Sequence, residues 1–310
     1  MILAPMQGLT ELLFRKVYEQ CFPGAISYAI SPFISLTHGN LTEAWKKIDD
    51  VWPEANKGSM PVVPQILGKE IEEFTELANR LYDIGYEEVN WNIGCPMRAI
   101  TGKHRGSGIL PYPDEIEAIL DGVVPHLKTR LSIKMRLGLR DKDEILAIVP
   151  LLNRYPLASV TIHPRTGRQQ YTGVADEEQF GKVAPLINAP VIYNGDIYTV
   201  ADAQRIMRKF PYIQDIMVGR GIFYSPMLPI EVTQGSISPE TKLVASRQLI
   251  RRLTDEIMEC MPSEQAKIRK TKEYWCLLWR SLDISESTAR QLLRQEELAA
   301  ITKLIYSFTQ

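Results

Sequence analysis

Cysteine is scarce in this chain: four residues among 310, Cys21, Cys95, Cys260 and Cys276, with no CxxC pair and no ligand-like cluster. That spacing excludes a disulfide framework and a structural zinc site, no metal is expected, and reduced thiols in a cytoplasm fit best. No run approaches the roughly 18 apolar residues of a membrane span, and the opening MILAPMQG has no basic leader, so neither anchoring nor export is expected. Neither sign of charge dominates. Lys+Arg number 36 against 37 Asp+Glu, a net charge of -1, so a polyanion could be met only by a local patch. With 45% hydrophobic residues and 24% charged ones, the chain is no disordered segment and can build one large domain with a small appendage.

What is present is a rhythm. Eight β-rich runs, MILAPM, AISYAISPF, PVVPQILG, EEVNWNIG, RLSIKMRLG, ASVTIHPR, APVIYNGDI and QDIMVGRG, each close on a polar or Gly/Pro turn, and most lead into helical spacing. Helices are predicted at Glu70–Ile84, Asp114–Leu127, Asp143–Tyr155 and Thr199–Lys209, with Thr199 as an N-cap, and a helix plus loop between Leu36 and Met60. Strands apolar on both faces, alternating with helices over about 230 residues, predict an α/β fold of the (β/α)₈ TIM-barrel type over an open doubly wound sheet. After residue 237 the strand signal ends. Ser238 and Pro239 open a helix, and two more are predicted, near Glu264–Leu282 and from Ser285 onward, giving a barrel over 1–237 and a small C-terminal all-helical domain over 238–310.

In such a barrel chemistry sits where strands end, and here those ends are polar: Met6, Gln65, Asn92, Cys95, Lys134, Arg136, His163, Arg165, Asn194, Asp196 and Arg220. Any one of them alone is more often a loop hydrogen bond than a ligand; their fall on one rim points to a site. The seventh and eighth strands close in NGDI and VGRGIF, where glycines free backbone N–H groups before a helix and an arginine stands by, a pattern suited to phosphate. Lys134 and His163 face the middle of the rim, where they could steady an anionic ring, so the set favours a phosphorylated planar cofactor. Cys95, on a Gly-Cys-Pro turn above the rim, is a candidate nucleophile or general acid. Cys21, Cys260 and Cys276 read as small apolar fillers.

The motifs LAPMQGLTELLFR, VPQILG, NWNIGCPMRAITGKHRGSGIL, IKMRLG, TIHPRTGRQQYTG, VIYNGDI and IMVGRG, in this order, resemble those of the dihydrouridine synthases across nearly the whole chain. The resemblance implies FMN-dependent reduction of uridine in tRNA to 5,6-dihydrouridine with NADPH as reductant. It implies that Cys95 protonates uracil C5 after hydride reaches C6, with Asn92 beside it. Pro5, Met6, Gln65, Lys134, His163, Asn194, Gly195, Asp196, Gly219 and Arg220 fall on family positions that hold FMN, and Arg136, Arg165 and Tyr171 on motif positions near the site.

The loop after Cys95 carries Arg98, Lys103, His104 and Arg105, and AKIRKTK sets Lys267, Arg269, Lys270 and Lys272 together. From charge alone that second cluster is a solvated face balanced by neighbouring glutamates; the resemblance makes it an RNA contact. A monomer with no protein partner is expected. Two other readings compete: a flavin barrel acting on a free pyrimidine, as dihydroorotate dehydrogenases do, and an RNA-binding protein that keeps the barrel as scaffold. The basic helices argue against the first and the intact Cys95, Lys134 and His163 against the second. The sequence does not name the target uridine.

Overall fold

The computed structural model describes residues 1–36, 41–46 and 48–310. Its sheet consists of ten short parallel pieces among the described residues, and two of its strands are each divided by a proline. Proline has no N–H to give to the ladder. Pro32 separates Tyr28–Ile30 from Ile34–Ser35, and Pro64 separates Val62–Val63 from Gln65–Leu67. Joining those pairs leaves eight strands: β1 (Ile2–Leu3), β2 (Tyr28–Ser35), β3 (Val62–Leu67), β4 (Glu88–Ile93), β5 (Arg130–Gly138), β6 (Val160–Thr166), β7 (Val191–Tyr193) and β8 (Asp215–Val218).

Each strand pairs in parallel with the next, and β8 pairs back to β1, with Ile2 opposite Met217 and Leu3 opposite Val218. The sheet therefore closes, and all strand ends share one rim. A small inner cluster of Ile2, Ala4, Ile30, Ile192 and Met217 fills the barrel, while Val, Ile and Leu on the outer faces pack against the helices. The eight strand expectations are all met.

Local chemistry sets the helices. Thr199 accepts from the Asp202 N–H while Asp202 reaches back to the Thr199 N–H, a reciprocal cap for the helix Val200–Lys209. Between Leu36 and Met60 the chain forms a short helix, Leu41–Trp45, and a 3₁₀ turn, Ile48–Val51; Thr37 to Asn40 and Lys47 lie outside the described residues. Asp50 in that turn is joined to the fully buried Arg15, which donates to its carboxylate at 3.0 Å and its carbonyl at 2.5 Å, to the Thr10 carbonyl at 2.9 Å and to Asn56 at 3.1 Å. This knot fixes the loop after β1 that carries Met6 to the rim.

From Ser238 the chain is helical: Pro239–Cys260, Glu264–Leu278, Glu286–Leu293 and Leu298–Phe308. The single helix expected from Ser285 onward is two. The first stops at Arg294, and the polar Gln295–Glu297 turns the chain so that Leu292 and the pair Ile301 and Ile305 bury in one core. Phe14, Phe223 and Tyr274 pack together where these helices meet the barrel, Phe14 tilted against Phe223 at 4.7 Å between ring centres.

Because Arg15 leaves an uncompensated carboxylate behind when removed, Arg15→Leu should lower unfolding free energy by about 3 kcal/mol. Urea unfolding followed by circular dichroism measures this; a change under 1 kcal/mol would mean the knot is not what holds the loop.

Candidate active site

Two connected hollows occupy the rim. The larger, about 470 Å³ and within the usual size of small-molecule sites, is walled by Pro5, Met6, Gln65, Asn92, Cys95, Lys134, Arg136, His163, Tyr171 and Arg220. The smaller cup beside it shares Pro5, Met6, Lys134, His163, Tyr171 and Arg220 and adds Asn194, Gly195, Asp196, Gly219 and Gly221. The ten residues that the sequence put forward for a cofactor thus surround one continuous space.

The floor below Cys95 is an amide relay. Asn92 Nδ2 donates to Gln65 Oε1 at 2.7 Å, Gln65 Nε2 to Asn90 Oδ1 at 2.8 Å, and Asn90 Nδ2 to Ser132 Oγ at 3.0 Å. All four are buried, so each amide is oriented by its neighbour. At the upper end Asn92 Oδ1 accepts from the Gly94 and Cys95 N–H groups at 3.0 and 2.9 Å, which folds the Gly-Cys-Pro turn over the rim. Ser107 donates to the Cys95 carbonyl from its N–H at 3.0 Å and its Oγ at 3.1 Å. Gly106, at a φ of 56°, lies so close that a Cβ would meet the Cys95 carbonyl oxygen at 2.6 Å. The HRGSG stretch is a clamp on the thiol's backbone.

Burial pushes the Cys95 thiol up from its ordinary pKa, against the Met97 N–H, Arg136 and Lys134, which pull it down. The group is therefore a thiol at neutral pH. Lys134 is pushed down to about 7, mainly by burial and also by the Arg136 charge. Arg136, donating to the Gly94, Thr166 and Gln170 carbonyls at 3.0, 2.8 and 2.7 Å, is itself lowered to about 10, first by burial. His163 is held well below its usual range by burial and by Arg136, Lys134, Arg165 and Arg220. Arg165 lies 3.1 Å from His163 Nε2; a guanidinium can only donate, so Nε2 accepts and the ring proton sits on Nδ1.

Asp196 is the carboxylate facing these cations. Arg165 grips it bidentately at 3.1 and 2.5 Å, and Arg220 adds a bond at 3.2 Å. One carboxylate among four cations leaves the cup in positive excess, and an anion is what its donor set fits. The helix after β8, Gly221–Tyr224, is a single turn, and at the helix after β7 the Thr199 hydroxyl takes one of the first N–H groups, that of Asp202. Arg220 and Lys134 bring the positive charge instead.

A family model described as dihydrouridine synthase matches residues 2–303. The chain belongs to the dihydrouridine synthase family. A protein named probable tRNA-dihydrouridine synthase from Rhizobium leguminosarum bv. phaseoli is 32% identical over 224 residues, 71% of this chain and 67% of that one. The tRNA-dihydrouridine(16) synthase of Pseudomonas putida is 26% identical over 316 residues, 98% and 95% of the two chains. Among solved structures, an old yellow enzyme homologue from Zymomonas mobilis aligns with a TM-score of 0.54 at 12% identity, covering 76% of this chain and 89% of that one. Morphinone reductase aligns at 0.51 and 15% identity, covering 78% and 88%. Those two share the barrel fold.

As a member of this enzyme family the chain departs from the sequence reading at several residues. Arg165 stands behind the cup as a buried brace and lines neither hollow. Lys270 is not a free surface cation: it is buried, bonded to the Gly8 carbonyl and Glu11 at 2.9 Å and paired with Glu273 at 3.0 Å. Arg98 and Arg269 are exposed and Lys267 and Lys272 partly so, all outside the cleft lining. Cys260 and Cys276 are exposed rather than packed as fillers, and Cys276 lines the large hollow with Glu273 and Leu277. Their spacing marks one helix face, yet nothing in it says that this face crosses the barrel mouth. Phe33 and Tyr198 at the site were likewise missed.

Lys134 binds a proton less readily in the folded chain (about 7) than in the unfolded one (about 10.5). The destabilisation is complete below about pH 7 and fades as pH rises towards 10.5, so stability from this group increases with pH. Cofactor-free Lys134→Met should melt above wild type at pH 6.5, with a smaller gap at pH 9. Equal gaps in thermal scans would show that Lys134 is not held uncharged.

Proposed function

We propose that this protein is an FMN-dependent tRNA-dihydrouridine synthase that uses NADPH, with residues 1–237 performing the reduction and residues 238–310 docking the RNA. The observation that carries the reading is that a protonated thiol and a cup in positive excess open on the same 470 Å³ cleft. A planar phosphorylated anion suits that cup, and no free-pyrimidine enzyme needs the cationic helix beyond it.

Lys134, His163, Asn194, Gly195, Gly219 and Arg220 would hold FMN, with Pro5, Met6 and Gln65 along its ring, and Arg165 acts through Asp196 by orienting it. FMN, when bound and reduced by NADPH, supplies a hydride to uracil C6. Cys95 gives its proton to C5, the C5–C6 double bond becomes single, and the sulfur keeps the electron pair of its S–H bond. Lys134 and Arg136 then steady the thiolate until water returns a proton. Asn92 fixes the thiol through the turn's two N–H groups. Tyr171, 54% exposed between the guanidinium planes of Arg136 and Arg220, offers a stacking surface at the entrance for a base drawn out of the RNA.

Cys95→Ala should retain flavin absorbance and tRNA affinity while dihydrouridine formation falls about 100-fold or more; product at wild-type rate would remove Cys95 from the acid role. Because burial raises the thiol's pKa, wild-type turnover should hold through pH 8 and decline only above about pH 9. A decline centred near pH 7 would point to a different proton donor. Neutralising Lys267 and Lys272 should weaken tRNA binding and flatten its salt dependence by about one unit per lost phosphate contact. An unchanged salt slope in filter binding would return both to an ordinary solvated face.

A further inference from the structure

The guanidinium of Arg165 is buried, and every one of its N–H groups has an acceptor. Nε donates to the Thr172 carbonyl at 3.2 Å, and the two hydrogens of Nη2 go to the Gly173 carbonyl at 2.8 Å and to Asp196 Oδ2 at 2.5 Å. Nη1 gives one hydrogen to Asp196 Oδ1 at 3.1 Å, and its other hydrogen faces His163 Nε2, also at 3.1 Å. A guanidinium has five N–H donors and no acceptor, so this set is complete and the contact with His163 runs in one direction only.

The consequence falls on the imidazole. Nε2 must accept, which leaves the ring hydrogen on Nδ1, and no protein group among the described residues takes that hydrogen. The His163 ring lines both hollows, so the Nδ1–H is left to whatever occupies them. A second proton on the ring is opposed from every side: Lys134, Arg136, Arg165 and Arg220 face it, Asp196 lies beyond Arg165, and the Tyr171 ring stands 6.0 Å away. It would also remove the lone pair to which Arg165 donates. Packing alone asks for less than this, since a neutral histidine free to choose its tautomer would show the cup a donor in one form and an acceptor in the other.

We propose that Arg165 is a positioning residue that locks His163 as a neutral imidazole with its hydrogen on Nδ1, so that the cup offers the bound flavin a hydrogen-bond donor at that point. This rests on the FMN reading above and extends it to a residue outside the cleft lining. Reduction collects negative charge on the flavin ring, and a fixed donor aimed at that charge favours the reduced form without depending on pH.

Nitrogen-15 NMR of histidine-labelled protein reads which ring nitrogen carries the hydrogen, and His163→Gln identifies the signal. In cofactor-free wild type the His163 hydrogen should stay on Nδ1 from about pH 6 to about pH 8. Arg165→Met keeps an apolar stem and loses the donor, so in that variant the hydrogen should shift wholly or in part to Nε2, or the ring should titrate within this range. Should the variant not fold, the wild type alone still decides: its Nδ1–H resonance should move when FMN is added and move further when the flavin is reduced. Three results overturn the proposal: an Nε2–H ring in wild type, an unaltered Nδ1–H ring in folded Arg165→Met, or a resonance that stays put while absorbance shows flavin bound. If the protein takes up no flavin, the FMN reading falls and the donor loses its recipient, whereas the cofactor-free spectra still decide whether Arg165 sets the tautomer.

Discussion

Buried positive charge in excess of its counter-charge governs the rim of this barrel. Four cations, Lys134, Arg136, Arg165 and Arg220, surround the neutral His163, and two of them, Arg165 and Arg220, hold the carboxylate of Asp196. Burial disfavours the charges of Lys134 and Arg136, and the neighbouring guanidinium of each disfavours them further. Arg136 and Arg165 tolerate this by donating to backbone carbonyls from several loops, which makes each guanidinium a tie between loops as well as a charge. Lys134 has no such set of carbonyls and gives way, its affinity for a proton falling to the neutral range.

Against that field the Cys95 turn is held by neutral hydrogen bonds. The relay from Ser132 through Asn90, Gln65 and Asn92 spans three adjacent strands, so the position of the sulfur is set by sheet register and not by loop conformation alone. Ser107 and Gly106 close the turn from above. Burial, which keeps the thiol protonated, and the nearby cations, which pull the other way, act in opposite directions on Cys95, and burial is the larger.

The helices beyond the barrel are drawn to it by a second knot of charge. Lys270 joins Glu11 and the Gly8 carbonyl, both on the loop after β1, to Glu273 on its own helix. That loop also carries Met6 at the cleft and is held from below by Arg15 and Asp50. Glu273, Cys276 and Leu277 consequently form one wall of the cleft. The cleft is thus lined by both parts of the chain.

Strand and helix periodicity and turn glycines were enough to read the eight-stranded barrel from the chain itself, because each depends on spacings of two to four residues along one element, and the polar strand ends marked the rim on which the cleft lies. The sequence equally located Thr199 and Ser238 as caps, since a cap is a contact across three residues. Only the tertiary structure decided that Lys270 is spent inside while Arg269 beside it is exposed, that Arg165 braces Asp196, and that Cys276 faces the cleft. Those outcomes depend on partners up to 262 residues away, Gly8 and Lys270 being one such pair. Charge is a long-range quantity whose meaning is set by what folds around it, whereas the hydrophobic period is local and is written in the order of the residues.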